Sequence, residues 1–242
     1  MLVRYSIIIP AFNEEVFLPK TLASIGDAMR EIPMPGEIIV VDNNSTDGTA
    51  AIPARYDARV VFEPKNQISR ARNTGARAAN GRYLLFLDAD TIVSPALLQT
   101  AVETLASGNY CGGGVVVNMD GPLSQSMQYV LDFWNWLSIR FDLAAGCFIF
   151  CTKAGFEATG GFSERVYASE EIWFSLGLKS WGKRQNLAFR IITDPPVLTS
   201  MRKLVWYSPV EMLLLSLPVL LFPPVVFFRW FCKHWYHRPQ AR

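Results

Sequence analysis

Along residues 1–200, short apolar runs alternate with polar breaks and with stretches of helical periodicity. Residues 6–9 form an apolar run stopped by Pro10, the pattern of a buried strand. Asn13 then stands where a helix cap is wanted, and Leu18, Leu22, Ile25 and Met29 fall on one face of the helix that follows. Pro33 and Pro35 lack the N–H needed to continue it. Residues 37–41 and 60–62 predict two further strands, and the alanine-rich stretch 69–79 predicts a helix ended by Asn80-Gly81. Residues 83–87 predict a fourth strand. This strand–helix–strand rhythm implies parallel pairing through right-handed crossovers, an α/β fold. Beyond Pro95 the pattern predicts a helix, a strand at 115–117, an aromatic-rich helix at 122–140, a strand at 147–151, a tight turn at Gly160-Gly161 and an acidic helix at 169–179.

Composition narrows the picture. The chain has 242 residues, 50% of them hydrophobic and only 18% charged, which excludes disorder because burial can offset the ordering entropy. The net charge of +2 is unevenly spread: residues 201–242 carry six Lys/Arg against one Glu, while the rest is mildly acidic. Such a globule is a poor nucleic-acid binder, and its greasy, basic end suits a membrane surface. Four scattered cysteines and two histidines, both near the C-terminus, leave thiol, zinc and Ser–His–Asp chemistry without a residue set. Chemistry in the globule must run on carboxylates. The first apolar run is too short for a secretory signal, so a reduced, cytosolic setting is expected.

Ligands of open parallel sheets bind beyond the carboxyl ends of the strands. Three polar clusters fall there: Asn13-Glu14, Asp42-Asn43-Asn44-Ser45 and Asp88-Ala89-Asp90. An Asp-x-Asp is weak evidence alone in a chain with ten Asp. Delivered to a strand end, its two carboxylates suit a hard divalent ion bridging phosphate oxygens. A polar turn with a helix cap after Asp90 is the plain alternative. Asp42 could accept the imide N–H of a pyrimidine, or merely cap the loop that follows it.

Four stretches, SIIIPAFNEE (6–15), VVDNNSTDGT (40–49), SRARNTGARAANGRYLLFLDADT (69–91) and GGFSERVYASEEIW (160–173), resemble the inverting family 2 glycosyltransferases of GT-A fold. That fold is a Rossmann-like, mostly parallel sheet flanked by helices. The resemblance implies that Pro10, Ala11, Asn13 and Glu14 line a nucleoside pocket and that Asp42 reads the base. It implies that Asp88 and Ala89 meet the nucleotide and that Asp90 ligates Mn²⁺ or Mg²⁺ on the donor diphosphate, most simply that of a UDP-sugar. Asn66, Ser69 and Arg70, where a helix is expected to begin, suit phosphate. Family members carry Glu-Asp after Gly-Gly-Phe, the Asp deprotonating the acceptor hydroxyl; this chain has Glu170-Glu171. Glu171 is expected as base, with Glu170 as neighbour and second choice. An exposed pair favoured by the helix macrodipole is the alternative. Arg202 and Lys203 could close over the diphosphate or simply face a membrane. Trp134, Trp136 and Trp173 stack on a sugar or lipid, or pack into the core.

The expected organisation is a glycosyltransferase domain at 1–203, with a nucleotide-sugar half (1–115) and an acceptor half (116–203) taking a glycan or lipid-linked hydroxyl. Residues 204–242 form a membrane-associating tail whose hydrophobic part is helical. Residues 212–228 carry no charge, but as a helix they span only ~25 Å and are interrupted by three prolines, short of a ~30 Å bilayer core. Flanking aromatics and the basic residues after the run predict peripheral or re-entrant attachment to the inner membrane face, a single span being the alternative. A nucleotidyltransferase would need a basic, Gly-rich loop where Asn13-Glu14-Glu15 stands. A polyprenyl-phosphate glycosyltransferase and a non-catalytic scaffold of the same fold are the remaining alternatives.

Overall fold

The protein is described by a computed structural model covering residues 2–202, 223–232 and 236. Its apolar runs become eight strands: β1 (Tyr5–Ala11), β2 (Gly36–Asp42), β3 (Arg59–Phe62), β4 (Tyr83–Leu87), β5 (Thr91–Ile92), β6 (Tyr110–Met119), β7 (Phe148–Thr152) and β8 (Ala188–Thr199). They join in one sheet of order β3-β2-β1-β4-β7-β6-β8-β5. The first four pair in parallel, as expected from the crossovers. From β7 onward the pairing is mixed: β7 runs antiparallel to both β4 and β6, and β8 parallel to β6.

Alternation along β1 divides the core between the two faces of the sheet. Ile7 and Ile9 point into one cluster and Ile8 into the other. Helices α1 (Leu18–Arg30) and α3 (Pro95–Ala106) supply Leu18, Leu22, Ile25, Leu97 and Leu98 to the first. Helices α2 (Ile68–Ala78), α5 (Lys153–Thr159) and α6 (Glu170–Arg184) cover the second. Gly75 lets α2 lie directly on the sheet, because a Cβ there would stand 2.4 Å from Ile8 Cγ2 and 2.8 Å from Val41 Cγ2. Phe86, Phe156, Phe162 and Phe174 pack between α2, α5 and α6, with Phe162 stacked 4.3 Å from Phe174.

Three details depart from the sequence reading. Asn13 does not cap α1; it takes a left-handed conformation at φ 53°, and its Oδ1 accepts from Thr46 N at 2.8 Å. Phe17 stands at the start of α1 instead, without a side-chain cap. Helix α4 (Gln125–Phe141), capped by Ser124, buries only Leu131 and Ser138. Its Trp136 is 55% exposed and Phe133 59%, while Trp134 is half-buried; Trp173 on α6 is likewise exposed.

The segment 223–232 packs on the globule. Pro223–Phe227 forms a 3-10 turn, Tyr167 N donates to Val226 O at 2.7 Å, and Val226 and Cys232 bury against Val166 and Ala168. Tyr236, expected as an interfacial aromatic, donates its hydroxyl to Tyr167 O at 3.0 Å. Lys203, both histidines, Trp206, Tyr207, Trp235 and residues 212–222 of the chargeless run lie outside the described residues. No helix among those described is long and apolar enough to cross a membrane. All four cysteines are free, and burial pushes the Cys111 and Cys232 thiols up to about 11.

Candidate active site

The carboxyl ends of β1, β2 and β4 open into one cavity of about 430 Å³. Its floor is Pro10, Ala11, Glu14, Asn43, Asp88 and Asp90; Glu170 and Glu171 of α6 line another wall, and Arg202, beyond β8, completes it. Thus ten of the expected residues meet in one space: Pro10, Ala11, Glu14, Asn66, Asp88, Ala89, Asp90, Glu170, Glu171 and Arg202. Asn13, Asp42, Ser69 and Arg70 do not line it. Asp42 sits one residue behind, with Oδ1 accepting from Ser45 N at 3.0 Å, so it caps its own loop. Arg70 is taken up by Glu63 and Glu164 away from the cavity, and Ser69 is buried. Asn66 is at the rim, where its Nδ2 donates to Asn43 O and its Oδ1 accepts from Arg229 at 2.9 Å.

Asn43 fixes the mouth of the nucleotide side. Its Nδ2 donates to Glu63 O and Lys65 O at 3.1 and 2.7 Å, and its Oδ1 accepts from Gln67 N at 2.8 Å. One buried amide thus ties the end of β2 to the loop entering α2, satisfying three backbone groups that burial would otherwise strand.

Arg72 is the centre of the carboxylate array. It lies on the core-facing stripe of α2 with Gly75 and Ala76, is 2% exposed, and stands 5.2 Å over the Phe162 ring. Its Nη1 donates to Glu170 Oε1 at 2.7 Å; its Nη2 donates to Asp88 Oδ1 at 3.0 Å and to Gly146 O at 2.8 Å. One guanidinium therefore joins the strand-end Asp to the acidic helix. Arg72 belongs to no recognisable motif of its own in the sequence; the signal available for it is a charge on an otherwise small, apolar helix stripe.

Glu170 and Glu171 occupy the first turn of α6, presented by Ser169 in a left-handed conformation at φ 60° that costs a non-glycine residue about 1 kcal/mol. Successive helix positions diverge by ~100°, and only Glu170 of the two is within ion-pair distance of Arg72. Glu170 is buried against Arg72. Glu171 has no such pair, and burial together with repulsion from Glu170 pushes its carboxyl from near 4.5 up to about 8, against a smaller pull from Arg72.

Arg202 makes the second ion cluster. Its Nη2 donates to Glu14 Oε1 at 2.8 Å, Nη1 reaches Glu14 Oε2, and Nε lies 2.9 Å from Asp90 Oδ2. Tyr236 reaches the acceptor side of the cavity, and α4 contributes an apolar wall of Met127, Val130, Leu131 and Trp134. A cleft with acids at strand ends, a carboxyl titrating near neutrality and a greasy flank is suited to activating a hydroxyl beside a bound anion.

Comparison with known proteins places the chain in a family. The chain matches the sequence model described as Glycosyl transferase family 2 over residues 6–159. It is 37% identical over 103 residues to an uncharacterized glycosyltransferase, Mb0553, of Mycobacterium bovis, covering 43% of this chain and 44% of the other. To validoxylamine A glucosyltransferase of Streptomyces hygroscopicus subsp. limoneus it is 31% identical over 107 residues, covering 42% and 23%. The matched stretch spans less than half the length of these relatives. Its fold superposes on mannosyltransferase PcManGT of Pyrobaculum calidifontis, solved with GDP-Man and Mn²⁺, with a TM-score of 0.64 and 22% identity over 99% of this chain and 66% of the other. On S. aureus TarS 1-349 in complex with UDP-GlcNAc it gives a TM-score of 0.60 at 20% identity, covering 82% and 58%. The family match takes in well over half of the sequence and all three strand-end clusters, and the chain belongs to glycosyltransferase family 2, with the GT-A fold.

Proposed function

We propose that the protein is an inverting glycosyltransferase that moves a sugar from a nucleoside-diphosphate sugar to an acceptor hydroxyl, with Glu171 as general base. The observation that carries this reading is the single cavity in which Asp88 and Asp90 face Glu170 and Glu171, with Arg72 between them. The nucleoside rests on Pro10, Ala11 and Asn43, while Asp42, which caps its own loop, stands behind that surface. Glu171 takes the acceptor proton as the hydroxyl attacks the anomeric carbon from the face opposite the departing diphosphate, so one displacement inverts the configuration. No second carboxylate is required as a nucleophile. A UDP-sugar is the proposed donor; relatives of this fold have been solved with UDP-GlcNAc and with GDP-Man.

A divalent cation fits the donor side. Five carboxylates, Glu14, Asp88, Asp90, Glu170 and Glu171, line the cavity against two guanidiniums, Arg72 and Arg202. A nucleoside diphosphate would enter that acidic space against repulsion unless a cation came with it. No group of three His, Cys, Asp or Glu is placed to hold a metal among the described residues. Asp90, with Asp88 beside it, would hold such a cation, Mg²⁺ or Mn²⁺, whose hard oxygen preference suits one or two carboxylates. When bound it would offset charge building on the leaving diphosphate. We assign residues 1–203 to this catalytic unit and 204–242 to attachment at the inner face of a membrane.

Asp90→Ala should abolish Mn²⁺-dependent UDP binding while leaving the circular dichroism spectrum of the chain in place. Calorimetry returning wild-type UDP·Mn²⁺ affinity for that variant would sink the donor assignment.

A further inference from the structure

The two glutamates of α6 are held differently. Arg72 ties Glu170, whereas Glu171 is in no ion pair among the described residues, so its carboxyl goes where its backbone puts it. That backbone is the first turn of α6, entered through Ser169 in a left-handed conformation with no side-chain cap. A serine keeps such a conformation only when its surroundings impose it. Upstream, α2 fixes the approach: Gln67 Nε2 donates to Glu164 O and to Val166 O, each at 2.9 Å. The residues that follow are held by another part of the chain. Tyr167 N donates to Val226 O at 2.7 Å, and Tyr167 O accepts from the Tyr236 hydroxyl at 3.0 Å. Among the described residues, these two are the hydrogen bonds that reach 167–169 from any segment other than α6. Val166 and Ala168, on either side, bury against Val226 and Cys232, none of the four more than 3% exposed. The Tyr236 ring meets the Tyr167 ring edge-on at 6.0 Å. Arg229 lies 5.3 Å over the Tyr236 ring and donates to Asn66 at the cavity rim.

We propose that residues 223–232 and Tyr236 form a strap that positions the first turn of α6, with Tyr236 as a positioning residue for Glu171. The catalytic part rests on the reading of Glu171 as base; the mechanical part does not. The strap grips both the N–H and the C=O of Tyr167, two residues before the left-handed Ser169, and so fixes the direction in which α6 departs. Arg72 restrains a side chain of that turn; the strap restrains its backbone. Such restraint matters because misplacing a reacting group by about 1 Å can lower a rate ~100-fold. Burial raises the Tyr236 hydroxyl well above its usual range, so it stays protonated and remains a donor at neutral pH. The stretch beyond residue 204, read from sequence as a membrane attachment, thereby serves the catalytic unit as well.

The test uses the full chain and two variants. Tyr236→Phe removes one hydroxyl and keeps the ring; Val226→Ala loosens the strap at a residue outside the cavity lining. Residue-resolved hydrogen exchange of the wild-type chain should show the Tyr167 amide protected, a readout that needs no variant. In both variants exchange should quicken across residues 167–173 and stay unchanged across α2. Release of UDP from UDP-glucose and from UDP-GlcNAc in Mn²⁺, with water as acceptor, should fall ~10-fold or more in kcat while UDP·Mn²⁺ affinity by calorimetry is kept. A lowered melting temperature with kcat kept, or a wild-type Tyr167 amide that exchanges as an open loop does, overturns the proposal. Loss of turnover in Tyr236→Phe alone, beside a Val226→Ala chain that behaves as wild type, overturns it in favour of direct contact between Tyr236 and substrate. Full UDP release by Glu171→Gln, or none by the wild-type chain, overturns the base or donor reading instead, and the exchange result then decides the strap alone.

Discussion

Replacing Glu171 and Glu170 separately by Gln divides their roles, because the structure gives each a different partner. Glu170 is tied to Arg72 at 2.7 Å and Glu171 is not. With its carboxyl at about 8, Glu171 is ionised in about one molecule in ten at pH 7. The base-dependent limb of kcat/KM should therefore rise tenfold per pH unit below 8 and level off above it. The raised value also means that the folded chain holds a proton between about pH 4.5 and 8 that the unfolded chain releases. Stability contributed there is present at low pH and lost as pH rises toward 8, and Glu171→Gln should flatten that loss. In initial-rate assays with donor and acceptor, Glu171→Gln should lower kcat by ~100-fold or more with donor affinity kept. Glu170→Gln keeps a carbonyl for Arg72 to bond but removes the charge that repels Glu171. It should move the limb toward lower pH and leave substantial turnover. A dead Glu170→Gln enzyme beside an active Glu171→Gln enzyme would reverse the assignment; two active variants would place the base elsewhere.

Two further outcomes follow from buried groups. Arg72→Met leaves Glu170 buried without its counter-charge, a loss of ~3–5 kcal/mol that should lower the melting temperature by about 10 °C, read by calorimetry. Asn43→Ala strands the backbone groups it serves at Gln67 N, Glu63 O and Lys65 O and should cost ~2–4 kcal/mol in denaturant unfolding, with UDP affinity reduced because the loop it holds lines the cavity. Wild-type stability in that variant would show that the loop does not depend on it.

The first half of the fold was legible because its strands are buried on both faces and read as unbroken apolar runs; β4 falls on residues 83–87 as its pattern predicts. The second half was harder for physical reasons. β6 begins at Tyr110, but Gly112–Gly114 carry no side chains to show a period, so only Val115 onward was visible. Those glycines are required by closeness instead: a Cβ on Gly113 would stand 2.0 Å from Arg190 O. β8 hides its pattern behind Arg190, Asp194 and two prolines, although it is the longest strand among the described residues. α4 shows the opposite failure. Its aromatic stripe has clear helical spacing, yet spacing gives a face without saying what the face meets, and Tyr129, Phe133, Trp136 and Phe141 are exposed.

The site residues divide along the same line. Strand-end position identified Asp88 and Asp90, but Arg70 and Arg72 share a helix start and cannot be told apart by residue type. Their separation of two positions turns them about 200° around α2, one toward Glu63 and Glu164 and the other into the core. That rotation has a chemical consequence. Arg72 holds Glu170 and Asp88 together, so the acceptor-side helix and the donor-side strand are joined through one charge. A change in the charge around Asp88 when donor and cation arrive would be felt by Arg72 and, through Glu170, by Glu171. Under the proposed function the Glu-Glu pair works as two unlike groups: Glu170 spent as a structural anion paired with Arg72, Glu171 left to titrate as the proposed base.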